Sequence, residues 1–246
     1  MKERYLWKAA AIAAFLFILA GPIQNAIASM SVSPVRVDLS NDHDKDVVRV
    51  TNSEETAKSY QVEIVAWSQS EERREIYSPT EDLLAVPPLF TLEPGEEQLV
   101  RIGLLEPADV SVERSYRMFI TELAQQQSAG VESVGINMRL QIGIPVFVAP
   151  AQGIPTATLD YVDSKKVGDN LFMRFRNYGN SHVKVTEVGY TPRGNTGGQS
   201  TPTVLYLLAG QSGYLPVAIP EGELNGTVTI VTDGLGSLEY ELPVIP

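Results

Sequence analysis

The chain has 246 residues, no cysteine, and 19 Lys plus Arg against 30 Asp plus Glu, a formal net charge of −11 at pH 7. The acid surplus sets aside nucleic acid, whose phosphates need a positive surface, and the missing cysteine sets aside disulfides, leaving packing and sheet hydrogen bonds to carry stability. A hydrophobic share of 43% over this length is enough for two domains with a core each.

Residues 1–28 read as an export signal. Lys2, Arg4 and Lys8 precede an apolar stretch at 9–20, and the segment closes on Ala26, Ile27 and Ala28. That stretch falls short of the about 20 residues a membrane span needs, and no later one approaches it, so no integral membrane segment is expected after cleavage. Cleavage would leave the remainder more acidic, because three bases depart with only Glu3.

Short alternating runs then predict strands at 32–39, 46–52, 59–67, 98–104, 115–123 and 134–148, with a shorter one at 89–92. Gly, Pro, Asn and Asp punctuate them, the pattern of an antiparallel sandwich. Residues 41–46 place His43 among Asp42, Asp44 and Asp46 but lack the glycine and distal glutamate of a calcium loop, so they read as a polar turn. The mixed charges at 71–75 read as a solvated turn. Tyr60 and Trp67 fall on opposite faces of their strand, and packing in a core or at a domain interface is the expectation for both.

The run at 134–148 is unusual. Val134, Ile136, Met138, Leu140, Ile142, Ile144 and Val146 alternate with Gly135, Asn137, Arg139, Gln141, Gly143 and Pro145, and residues 134–146 would span roughly 43 Å at about 3.3 Å each. The usual strand has about 5–6 residues. The surplus apolar side chains either cover the chain's own core or are offered to another chain.

After Pro150, Ala151, Gln152 and Gly153 the cycle restarts, with strands predicted at 157–162, 171–176, 183–191, 204–207, 213–218, 227–232 and 238–243 and a long glycine-rich loop at 192–202. The Pro/Gly linker marks a boundary between domains at 29–150 and 151–246. Nothing resembles a sustained helix. With two histidines, His43 and His182, and no cysteine, nucleophile–base pairs and zinc sites have few members to draw on. No spacing selects a glycosidase carboxylate pair. No catalytic residue, metal or cofactor is expected.

Four stretches resemble the periplasmic pilus-assembly chaperones of the chaperone–usher pathway. Ser33-Pro34-Val35-Arg36-Val37 is similar to that family's first strand, and residues 87–95 with Gln98-Leu99-Val100-Arg101-Ile102 are similar to its proline–glycine turn and following strand. Residues 115–123 resemble the penultimate strand of its first domain, and Thr232-Asp233-Gly234-Leu235-Gly236 a turn late in its second. The resemblance implies an all-β fold of two immunoglobulin-like β-sandwich domains in a boomerang arrangement with a cleft between them. It implies a periplasmic chaperone without cofactor or ATP, whose partners are pilin subunits and an outer-membrane usher.

Register with the family puts the donated face at Ile136, Met138, Leu140 and Ile142, with Val134 and Ile144 at its ends. It makes Arg36 the anchor of the subunit's C-terminal carboxylate, a task suited to a planar guanidinium, and Glu122 and Asp233 interdomain acids. The chain departs from the pattern twice: the lysine expected beside Arg36 falls at Pro145, and the interdomain base falls at Ala149. Arg101 and Arg139 are then the candidates for a second charge. The short polar segment at 124–133 resembles chaperones that serve rod-like pili. Self-association of the unbound chain stays open, and an exported two-domain fibronectin type III-like adhesin or ligand-binding module is the alternative reading.

Overall fold

The computed structural model describes residues 29–70, 74–124, 139–168, 170–195, 197–220 and 225–242. Every regular element there is a strand. The first unit holds β1 (Met30–Ser33), β2 (Val37–Leu39), β3 (Lys45–Asn52), β4 (Lys58–Gln69), β5 (Glu75–Pro79), β6 (Leu83–Val86), β7 (Leu89–Leu92), β8 (Glu97–Leu104), β9 (Arg114–Glu122) and β10 (Gln141–Val148). The second holds β11 (Leu159–Val167), β12 (Asn170–Asn177), β13 (Val183–Pro192), β14 (Gln199–Leu207), β15 (Ser212–Val217), β16 (Gly226–Asp233) and β17 (Gly236–Glu241).

In the first sandwich a sheet ordered β1-β3-β8-β6 faces one ordered β2-β10-β9-β4-β5, with β7 also on β4. Alternation drives the closure. Val48 and Val50 of β3 and Val100 and Ile102 of β8 meet Tyr60, Val62, Met118, Ile120, Ile144, Val146 and Val148 from the other sheet, all buried. Each large apolar side chain taken from water contributes about 1.5–3 kcal/mol. The stretch expected as one strand at 32–39 is two, because Pro34 has no N–H to give a ladder and the chain crosses there from one sheet to the other. The result is that β2 lies parallel to β10, pairing Val37 with Val146 and Leu39 with Val148.

The second sandwich packs β11-β12-β15 against β14-β13-β16-β17. A bulge between Val185 and Glu187 of β13 changes which residues face inward, so Val183 and Val185 before it and Val188 and Tyr190 after it all reach one core. The loop expected at 192–202 is shorter, since β14 already begins at Gln199 and carries Pro202 through an edge of its sheet, where a missing N–H is tolerated. Glu75, expected in a turn, opens β5, while residues 71–73 lie outside the described residues. β6 had no expected counterpart.

Two buried asparagines occupy matching places. Asn52 ends β3 and gives its amide to the carbonyls of Leu92 and Thr56 while Oδ1 accepts from Glu54 N. Asn177 ends β12 and gives its amide to the carbonyls of Ser181 and Leu207 while Oδ1 accepts from Gly179 N. Gly179 packs against the linker so closely that a Cβ there would collide with the Thr156 carbonyl.

The two sandwiches meet along the outer face of β4 and β10. Trp67 and Phe147 pack there on Leu208 and Tyr206 as a separate buried cluster. The Gln69 side chain donates to Tyr206 O at 2.9 Å and accepts from Leu208 N at 3.2 Å, so one neutral amide fills a backbone position of the second unit. His182 stacks on Phe147 with ring centroids 3.6 Å apart, and the Glu113 carboxylate meets its Nδ1 at 2.9 Å and accepts from its backbone N at 3.0 Å.

Candidate functional site

The outward residues of β9, β10 and β2 form one face beside this seam. Tyr116, Met118 and Ile120 of β9 point inward, so Arg117 and Phe119 point outward. On β10 the inward residues are Ile144, Val146 and Val148, which leaves Gly143, Pro145 and Phe147 outward. Gly143 lets the Phe119 ring lie across the strand, since a Cβ would come within 2.9 Å of it.

The edge of β10 is covered unevenly. β9 pairs with it from Gln141 to Val148, whereas β2 covers only Val146 to Val148. Among the described residues no strand pairs with the other edge of residues 141–145. Leu140 O accepts from Glu122 N on the β9 side, and Ala149 N donates to Leu39 O on the β2 side. By alternation, Gln141, Gly143 and Pro145 turn their backbone groups to the open edge. Pro145 offers only a carbonyl there.

Arg36 stands where that open edge ends. It precedes the Val37–Val146 pair and so comes level with Pro145. Its Nε donates to Asp38 at 2.8 Å and its Nη1 reaches Asp233 of the second sandwich at 3.5 Å. Burial opposes the charge, but Asp38, by charge and hydrogen bond, and Asp233 hold the guanidinium's pKa above its ordinary value. On the other side of Pro145, its β9 partner is Arg117. The Arg117 guanidinium lies 4.0 Å over the Trp67 ring and 3.8 Å from Glu75, and its Nε is buried without a hydrogen-bond partner among the described residues. Two arginines therefore stand level with the proline on either side of it, with the Arg117 guanidinium turned over Trp67 of β4. The sequence singled out only one.

Neither expected second charge lies here. Arg101 pairs with Val47 and Val86 in the opposite sheet of the first sandwich, facing away from the cleft. Arg139 is exposed and precedes β10, about 20 Å along the strand from Pro145. Asp233 does meet the first sandwich, through Arg36. Glu122 does not: it bonds Lys58 at 2.6 Å within the first sandwich, at the far end of β9, and its hydrogen bond, then that of Glu54, raises the Lys58 pKa. Of the expected donated face, Ile144 is only 2% exposed in the chain's own core, so it is not available to a partner, while Leu140 and Ile142 are half-buried at that core's rim. Val134, Ile136 and Met138 lie outside the described residues.

Tyr206 of β14 completes the surroundings. Its ring lies 5.7 Å from both Trp67 and Phe147. Burial raises its phenol pKa, while Arg36 and Arg117 pull it down and Asp38 and Asp233 push it up, so the hydroxyl sits in the field of both guanidinia. Among the described residues it has no hydrogen-bond partner. Arg117 was open to a sequence reading as the outward position of an alternating strand. Glu113, His182 and Tyr206 meet the first sandwich only through the fold.

A family model for the pili and flagellar-assembly chaperone, PapD N-terminal domain, matches residues 29–153. No curated protein matches the chain. Among solved structures, the fold is similar to a chain of the CsuC–CsuE chaperone–tip adhesion subunit pre-assembly complex from archaic chaperone–usher Csu pili of Acinetobacter baumannii, at 15% identity and a TM-score of 0.63, covering 87% of this chain and 98% of that one. It is similar to a chain of the Salmonella enterica SafA pilin–SafB chaperone complex at 16% identity and a TM-score of 0.58, covering 89% and 98%. The E. coli chaperone DraB matches at 18% identity and a TM-score of 0.54, covering 87% and 97%.

Proposed function

We propose, since the chain belongs to the family of pili and flagellar-assembly chaperones, that it captures pilin-like subunits in the periplasm by lending them a strand and passes them to an outer-membrane usher. That family is one of periplasmic chaperones, not catalysts, and the work here is stoichiometric binding and release without a cofactor. Residues 1–28 are the export signal, residues 29–150 the domain that donates the strand, and residues 151–246 the domain that closes the cleft.

The observation that carries the reading is the half-covered edge of β10. A strand with free backbone groups along one edge is a template for another chain. A subunit strand laid along residues 141–145 runs into the start of β2, so its end is delivered beside Arg36 and Arg117. A terminal carboxylate is the group those guanidinia hold best. Pro145 supplies no N–H at that point, and a carboxylate takes its donors from the arginines instead. Leu140 and Ile142 continue into the upstream Met138, Ile136 and Val134 as the donated apolar row. Each large side chain buried contributes about 1.5–3 kcal/mol, partly offset by the cost of ordering two chains.

The test is co-expression with pilin candidates followed by affinity purification. Met138→Asp with Leu140→Asp is expected to abolish the complex while the chaperone stays folded by circular dichroism. An undiminished complex would exclude strand donation.

A further inference from the structure

We infer that Tyr206 supplies a third donor to the carboxylate at the cleft, so that the captured terminus is held by both sandwiches at once. This rests on the reading of Arg36 and Arg117 as the anchor. Both of those arginines belong to the first sandwich, on β2's approach and on β9; Tyr206 belongs to the second, on β14.

Three observations support that task. The ring is fixed against Trp67 and Phe147, each at 5.7 Å, and Trp67 is the ring over which the Arg117 guanidinium lies at 4.0 Å. The Tyr206 backbone is fixed too, because its carbonyl accepts from Gln69 at 2.9 Å. The hydroxyl is without a partner among the described residues, yet Arg36, Arg117, Asp38 and Asp233 all act on it. A half-buried phenol with its ring clamped and its O–H unspent is a ready donor, and hydrogen bonds to a carboxylate are among the stronger ones. The ring is already in place, so little conformational freedom remains to be lost on binding.

The arrangement also sets a geometric condition. A carboxylate touching Arg36, Arg117 and Tyr206 together bridges the seam, so its capture and the angle between the sandwiches favour one another. Only a chain end that reaches past the β10 edge into the seam satisfies all three.

The probe is a synthetic peptide of alternating threonine and valine ending in phenylalanine, made as the free acid and as the C-terminal amide, titrated calorimetrically against the protein. The unmodified protein is expected to prefer the acid, and Arg36→Ala to remove the preference. Tyr206→Phe keeps the ring and removes only the hydroxyl; it is expected to cut the acid-over-amide ratio about tenfold, the scale of one hydrogen bond to a charged group. If Arg36→Ala removes the preference and Tyr206→Phe leaves it intact, the hydroxyl is not a donor and the inference fails while the anchor stands. Equal weakening of acid and amide by Tyr206→Phe assigns the residue to packing and also overturns it. No preference for the acid in the unmodified protein, absence of binding included, overturns the anchor and Tyr206 with it.

Discussion

Asn52 and Asn177 show how much one side chain can settle. Each is fully buried and each gives its amide to a carbonyl of the following loop and one of a second strand while accepting an N–H from that loop, so each ties the end of a strand to both. Neither asparagine is prominent in the sequence, because a lone polar residue at a strand end reads as turn punctuation. Removing the amide strands the Leu92 and Thr56 carbonyls and the Glu54 N–H in a place water reaches poorly. Asn52→Ala is therefore expected to lower stability by about 2–3 kcal/mol, measured by urea denaturation, well beyond the effect of an ordinary surface polar residue. Lys58 presents the opposite case at the same scale. Its ion pairs with Glu54 and Glu122 are close, at 2.9 and 2.6 Å, but taking both charges out of water offsets most of what their attraction contributes.

At the scale of elements, β10 is built for two neighbours along part of its length and for one along the rest. Among the described residues, the groups left unpaired along that edge are those of Gln141, Gly143 and the Pro145 carbonyl. Capture of a subunit strand is expected to protect the Gln141 and Gly143 amides from hydrogen exchange while amides turned toward β9, such as that of Ile144, change little; uniform protection along the strand would point to general stiffening instead. Most elements were legible from alternation, because β3, β9, β12 and β16 bury every second side chain, whereas β4 and β13 change their buried face part-way along. Two features escaped for identifiable reasons. Pro34 sits between two short apolar alternations, Met30 and Val32 before it and Val35, Val37 and Leu39 after it, which run together as one strand unless their change of phase is noticed, and Pro202 with the glycines before it disguises the start of β14. The site was half legible. Arg36 stands in a motif, but Arg117 becomes its companion only through the pairing of Pro145 with β9. The expected alternatives, Arg101 and Arg139, failed on sheet assignment and on distance along the strand, neither of which sequence spacing reports.

Over the whole molecule, two cores are joined by a seam of rings, one amide and the Arg36–Asp233 and Glu113–His182 pairs. Trp67, Phe147 and Leu208 are each at most 4% exposed, and Gln69 is 5% exposed. Gln69→Ala would leave Tyr206 O and Leu208 N without that partner. It is expected to broaden the distribution of sandwich-to-sandwich distances seen by small-angle X-ray scattering while leaving the circular dichroism of each sandwich unchanged; an unaltered scattering profile would mean the stacked rings alone hold the angle. Sequence reasoning looked at this place for charges, a base at position 149 paired with Glu122 and Asp233, and found alanine. Stacked rings and an amide stand there, beside the exposed Arg36–Asp233 pair and a Glu113–His182 pair whose side chains are 6% and 13% exposed. Salt shortens the reach of exposed charges from about 30 Å at 0.01 M to about 3 Å at 1 M, but it has little purchase on an amide seated in a strand or on rings stacked out of water. The rings and the amide should therefore keep the two sandwiches in one posture from fresh water to brine, even where salt loosens the exposed Arg36 from Asp233.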